Sequence, residues 1–318
     1  MWNEDVKSRQ LWAWTGVALT GPIAHFAGSG SWTWTAVLGT GCAALCYLVQ
    51  KFALGKGPWP KWLCGLEYLW IVYILGTVAA WSGDCWKEVT AQPVVPLTLL
   101  LLAACAVWGG AERGSRVGCV LCWFLVLLYG LILAAGSRGI RLPWLKPRWD
   151  GLGVLVPVFL IPAVVIFLPG KRGPGAALML SGMVVFAVAV SVWTVGSLSL
   201  DVAMESYPAF YEFSKSLSLF GVAERFESFV SVAMTLGYFS LLSLLTGAAG
   251  HLAEGLMPGR GRAGILGAVV IAGAVCLFYR STDVWFLTLG CILFWAVLPI
   301  LVLWLHDRKK SKKTEKRA

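Results

Sequence analysis

The chain has 318 residues, 58% of them hydrophobic and only 13% charged, with a net charge of +10 and a mean hydropathy of +0.75. A soluble domain carries about a quarter of its residues as Asp, Glu, Lys and Arg, so this composition excludes a secreted domain, a nucleic-acid-binding protein and a sizeable catalytic domain outside a membrane. Nor is the positive charge a nucleic-acid signal, since seven of the 26 Lys and Arg residues crowd into the last eleven positions.

A transmembrane helix needs roughly 20 mostly apolar residues. Hydropathy places about ten such spans near residues 10–28, 32–52, 63–82, 93–109, 117–136, 151–169, 175–197, 224–249, 263–279 and 285–305. The expectation is an all-α polytopic membrane protein with one transmembrane domain over residues 1–305. Residues 306–318 form a basic tail, which the positive-inside rule puts in the cytoplasm together with the N-terminus. No cleavable signal peptide is expected: Lys7 and Arg9 precede an apolar run, but it holds Trp12, Trp14 and His25 and lacks an A-x-A site.

The first span has Gly21-Pro22 near its middle. Pro22 removes one helical hydrogen bond, and Gly16, Gly21, Gly28 and Gly30 let the backbone leave the helix. His25 lies just past this point, where it either faces a cavity or bonds a neighbour. In the third span Glu67 follows Lys61 by about one and a half turns, either as a snorkelling interfacial group or as a coupling carboxylate. The Cys119-x-x-Cys122 pair in the fifth span reads as apolar packing, and seven of the nine cysteines fall inside apolar runs. Cys64 sits at the edge of a run, and Cys85 alone falls in a polar loop. Between spans five and six, Arg138, Arg141, Lys146 and Arg148 breach the positive-inside rule. They either pack on their neighbours or meet an anionic substrate or lipid.

The sixth span carries Pro157 and Pro162 near its middle. Broken helices in the first and sixth of ten spans are what a five-plus-five inverted repeat leads one to expect, with one repeat over about 10–136 and the other over about 151–305. Before the eighth span, Phe210, Phe213, Leu217 and Phe220 recur at spacings of three and four, which predicts a short helix on the membrane surface. Glu224, Arg225 and Glu227 then open the eighth span, where acids suit the helix dipole. There is no Walker loop, HExxH or GxSxG motif, and only three His residues are present. Nothing therefore argues for an enzyme, a cofactor or a metal site.

Several of these segments resemble one family. Tyr207-Pro208, Ser214-Lys-Ser-Leu-Ser and Ala223-Glu-Arg-Phe-Glu-Ser-Phe resemble the stretch entering the eighth helix of the spore germination permeases, the membrane B subunits of nutrient germinant receptors. The opening Lys7-Ser8-Arg9-Gln10-Leu11 and the Trp32 and Trp34 of the second span are similar to the family's start. Gln92-Pro93 and Gly110-Ala-Glu-Arg113 are fainter echoes. The resemblance implies the fold of the amino acid-polyamine-organocation superfamily and a small nutrient germinant, commonly an amino acid, bound at the helix breaks. Carried over by position, the pocket would take Thr20, Gly21, Pro22, Ile23 and Ala24 from the first break, and Val156, Pro157, Val158 and Phe159 from the sixth. A larger membrane receptor subunit and a lipoprotein are the implied partners, in the cytoplasmic membrane or spore inner membrane. The competing readings are a stand-alone ion-coupled secondary transporter of amino acids or organic cations, and a membrane scaffold that binds nothing.

Overall fold

The computed structural model describes residues 6–54, 59–86, 94–148, 155–169, 175–206, 208–217, 226–279 and 283–305. Among them there are helices and no strands. In chain order these are α1 (Ser8–Phe26), α2 (Trp32–Ala53), α3 (Lys61–Asp84), α4 (Val94–Val107), α5 (Ala111–Gly136), α6 (Val156–Leu160), α7 (Gly175–Leu198), α8 (Leu200–Glu205), α9 (Ala209–Lys215), α10 (Phe226–Leu256), α11 (Gly261–Phe278) and α12 (Val284–Ile292). A 3-10 helix, Ile161–Phe167, continues α6, and a π turn, Leu293–Val297, continues α12 in a helical segment that reaches Leu305. The basic tail, 306–318, lies outside the described residues.

Seven of these are long and apolar enough to cross a membrane: α2, α3, α5, α7, α10, α11 and the segment Val284–Leu305. Two more, Val94–Val107 and Val156–Phe167, are apolar but shorter. Several of the seven bury little of themselves. The side chains of Val120, Trp123 and Leu127 on α5, Leu178 on α7 and Phe278 on α11 all point outward. Such an apolar skin is an aggregation hazard in water and a matched surface in hydrocarbon.

α1 is the reverse case. It carries Thr15, Thr20 and His25 among its apolar residues, and it buries 13 of its 19 residues against α5, α7 and α10. A helix enclosed by protein needs no uniformly apolar surface. Trp14 is its largest anchor: the ring sits where Gly114 and Gly118 of α5 and Gly247 of α10 leave room, and its Nε1 donates to Ser243 Oγ at 3.2 Å.

The two proline-bearing segments, both expected to be interrupted, behave in opposite ways. α1 is not broken: it runs as one α-helix through Gly21-Pro22. Gly21 serves close approach instead. A Cβ there would lie 2.6 Å from the Met234 carbonyl oxygen and 2.7 Å from the Tyr238 nitrogen of α10. Gly237 faces it, and a Cβ on Gly237 would collide with the Gly21 backbone nitrogen. Two glycines therefore let the backbones of α1 and α10 touch. The sixth span does change helix type, at Ile161-Pro162, and every residue from Pro157 to Phe167 is buried.

The loop before α10 also departs from expectation. Phe210, Phe213 and Leu217 do not lie on a membrane surface but turn inward onto Val17, Ala24, Leu125, Tyr129 and Met234. The spacing is right for a helix, but three bulky apolar groups find a protein groove to fill. Phe220, Glu224 and Arg225 lie outside the described residues. Glu227 stands half-buried in the first turn of α10.

Candidate functional site

The predicted pocket residues fall into two nodes. The first is the upper half of α1, taking the end at Phe26 as the top. Gly21, Pro22, Ile23, Ala24 and His25 are all buried. His25 is held by two other helices: the Tyr238 hydroxyl of α10 is 2.6 Å from its Nδ1, and the Cys85 thiol at the end of α3 is 3.3 Å from the same atom. Phe26 stacks on the imidazole at 4.7 Å, and Trp81 meets Phe26 edge-on at 4.9 Å. Cys85 is thus not a polar-loop residue but part of a buried bridge. Below it the Thr20 hydroxyl donates to the Val17 carbonyl at 2.8 Å, and the Tyr129 hydroxyl of α5 donates to the Thr20 carbonyl at 3.3 Å.

Beside this node is a cavity of about 420 Å³ between α1, α5 and α7. Gly16, Val17 and Thr20 form its floor, and Tyr129, Met183 and Phe186 are among its walls. Of the nine predicted pocket residues and His25, Thr20 lines it. Cys122 lines it too, while Cys119 and Cys122 remain free thiols.

The second node is the sixth segment. Pro162 has no N–H, so the carbonyls one turn before it lose their helical donor. α2 supplies a replacement there from Cys46 and a further donor at Pro162 itself. The Cys46 thiol lies 3.4 Å from the Phe159 carbonyl and 3.7 Å from that of Leu160, and Gln50 Nε2 donates to the Pro162 carbonyl at 2.9 Å. Cys46 and Gln50 are four residues apart, one above the other on the α2 face. Val156 is half-buried, and Phe159 packs against Gly39 of α2. Each node is internally packed, and the two touch where α1 passes α6.

Glu67 lies apart from both. It is fully buried in α3 rather than snorkelling to an interface, and neither carboxylate oxygen has a hydrogen-bond partner. It is within electrostatic reach of Cys64 and Cys291. The basic loop is tied down: Arg148 pairs with Asp201 at 3.0 Å, Arg141 lies over the Trp144 ring, and Trp32 Nε1 and Thr33 Oγ1 donate to the carbonyls of Leu145 and Arg148. No group of three His, Cys, Asp or Glu side chains gathers among the described residues.

Tyr238, Tyr129, Gln50 and Cys46 were not foreseen as site residues. Gln50 had a visible signal, a lone amide at the end of an apolar run. Tyr238 follows a glycine in mid-span, which marks a close helix approach but not its partner. No protein-family model matches the chain, and no curated protein matches it either.

Proposed function

We propose that the chain is a permease-type membrane protein that binds a small nutrient, an amino acid in the first instance, between its first and sixth spans. It then signals through partner subunits as a spore germination permease does. The observation that carries this reading is a regularity in how the helices pair. Number ten segments as α1, α2, α3, α4, α5, Val156–Phe167, α7, α10, α11 and Val284–Leu305, and exchange each for the one five places on. The α1–α7 contact then becomes the sixth segment's contact with α2, α3–α11 becomes α10–α4, α3–α4 becomes α10–α11, and α1–α5 becomes the sixth segment's contact with α12. All of these contacts are present, and α2–α7 and α3–α10 map onto themselves. The α1–α10 crossing between the halves, the α4–α5 contact and the sixth segment's contact with α10 are among the exceptions, with no counterpart of comparable extent.

Direction supports the same count. Trp14 and Gly21 of α1 meet Ser243 and Gly237 of α10, so those two run antiparallel. Tyr68 and Gly76 of α3 meet Gly264 and Val275 of α11, so those run parallel. Ten alternating segments put both chain ends on one side, and the basic tail favours the cytoplasmic side. The irregular sixth segment, where an α-helix gives way to a 3-10 helix and side chains of α2 reach three of its carbonyls, is the kind of backbone that an amino acid's charged ends use. In this packed conformation a ligand enters only if α1 and the sixth segment part. Binding would therefore act by favouring the parted state.

The test is germination of spores lacking the gene, scored across amino acids, sugars and salts. Loss of response to one ligand class, restored by the wild-type gene and not by Thr20→Phe, is the expected result. An unchanged response to every ligand would favour the transporter reading, which saturable uptake by the purified chain in proteoliposomes would then establish.

A further inference from the structure

We propose that Glu67 is a proton-binding site, carrying its proton in this packed conformation and releasing it when the contact between α3 and the last helix opens. The inference goes beyond the nutrient reading and needs only that the bundle sits in a membrane.

Glu67 has no exposed surface, and both its oxygens lack a partner. Its position is six residues into α3, roughly 9 Å along the axis from Lys61. On its own helix the nearest titratable group is Cys64, while the Tyr68 hydroxyl is committed to the Gly264 carbonyl of α11 at 2.8 Å. From α10 come His251 and Glu254, and the Glu254 carboxylate accepts from the backbone of Gly259 and Gly261. The charged neighbour that His251 feels is that Glu254. α11 brings Arg262, which lies over Trp108, and α4 brings Cys105, which is exposed. The last helix brings Cys291, with Cys42 and Cys46 of α2 behind it. Two thiols, Cys64 and Cys291, are the titratable groups within electrostatic reach of the carboxyl, and no cation pairs with it among the described residues. A carboxylate stripped of water and of any counter-charge is too costly to keep ionised in an apolar interior, so it takes a proton instead.

The second observation is where this happens. Trp70, one turn along α3, stacks on Phe294 at 4.9 Å, and its ring fills the space a side chain at Gly290 would need. Phe294 lies in the π turn, and Trp295 beside it is fully buried with an unpartnered Nε1. Trp70 Nε1 and Gln50 Oε1 are unpartnered as well. The π turn packs on α2 and on the 3-10 segment. The 3-10 segment Ile161–Phe167 and the π turn thus meet where buried donors and acceptors are left unpaired, and π turns inside helices are frequent at functional sites. Parting α3 from the π turn would admit water to Glu67, favour the carboxylate and free the proton.

Infrared spectroscopy of the purified full chain in detergent tests this directly. At neutral pH the wild type should show a protonated-carboxyl C=O band that is missing in Glu67→Gln, while both proteins fold and melt alike. The band should not respond to sodium chloride at fixed pH. Identical wild-type and Glu67→Gln spectra would overturn the proposal. So would a band removed by sodium ions, which would make Glu67 a metal-cation site. If Glu67→Gln does not fold, the wild type carrying carboxyl-labelled glutamate decides: a shifted protonated band at neutral pH supports the site, and its absence refutes it. None of these readouts needs a nutrient, so the proposal can fail while the nutrient reading stands, and the reverse.

Discussion

α1 and the sixth segment carry the same sequence feature, a proline in the middle of an apolar run, and they treat it oppositely. Pro22 sits inside an unbroken helix, whereas Pro162 marks the switch from α-helix to 3-10 helix. The difference is in what the neighbours offer. α1 is clamped on one side by the Gly21–Gly237 approach and above by the His25–Tyr238 bridge. Losing one helical bond is cheaper there than losing that packing. The sixth segment is short, holds two prolines, and finds Cys46 and Gln50 ready to serve its freed carbonyls. A proline therefore reports a missing donor, and its surroundings decide whether the helix bends, switches or carries on.

The comparison breaks most readily at the α1–α10 crossing. Gly21→Ala or Gly237→Ala drives a Cβ into facing backbone that no side-chain rearrangement relieves. Overpacking of this sort costs about 1–3 kcal/mol, occasionally more, so both variants should melt well below wild type in detergent. Gly21→Trp should yield no folded protein, which disqualifies it as a simple pocket-filling probe. Gly16→Ala is the control, since its nearest neighbour, Met179, is 3.7 Å away, and it should melt like wild type.

Next in size is the sixth segment's support. Gln50→Leu removes the donor to the Pro162 carbonyl and leaves that oxygen buried, a loss of about 1–3 kcal/mol. If the melting temperature were unchanged, the carbonyl would have another donor. Tyr238→Phe should cost about 1 kcal/mol through the lost bond to His25, read by the same melts. A double variant with Gln50→Leu should be additive, because the two nodes share no partner. Arg116→Gln should have the smallest effect, within about 0.5 kcal/mol, since its ion pair with Glu112 is largely exposed.

Sequence reasoning reached the helical class, the apolar segments and their approximate limits, because length, hydropathy and composition are local quantities. It also found the residues that matter at the first node, Gly21 and His25, though for a different reason than the one that holds. A helix break and a close helix crossing both select glycine, and only the partner tells them apart. Phe210 and Phe213 show the same limit: spacing predicts a helix with one apolar face, but not whether lipid or protein covers that face. Glu67 is the sharpest case. Its distance from Lys61 places it near a helix end, and no feature of the sequence says that the folded bundle buries it. An all-helical chain of apolar segments follows from the residues one stretch at a time. The tertiary structure alone decided which proline interrupts its helix, which glycines touch backbone and which carboxyl is buried. Each of those depends on a neighbour far away in the chain, from the 213 residues between His25 and Tyr238 to the 112 between Gln50 and Pro162.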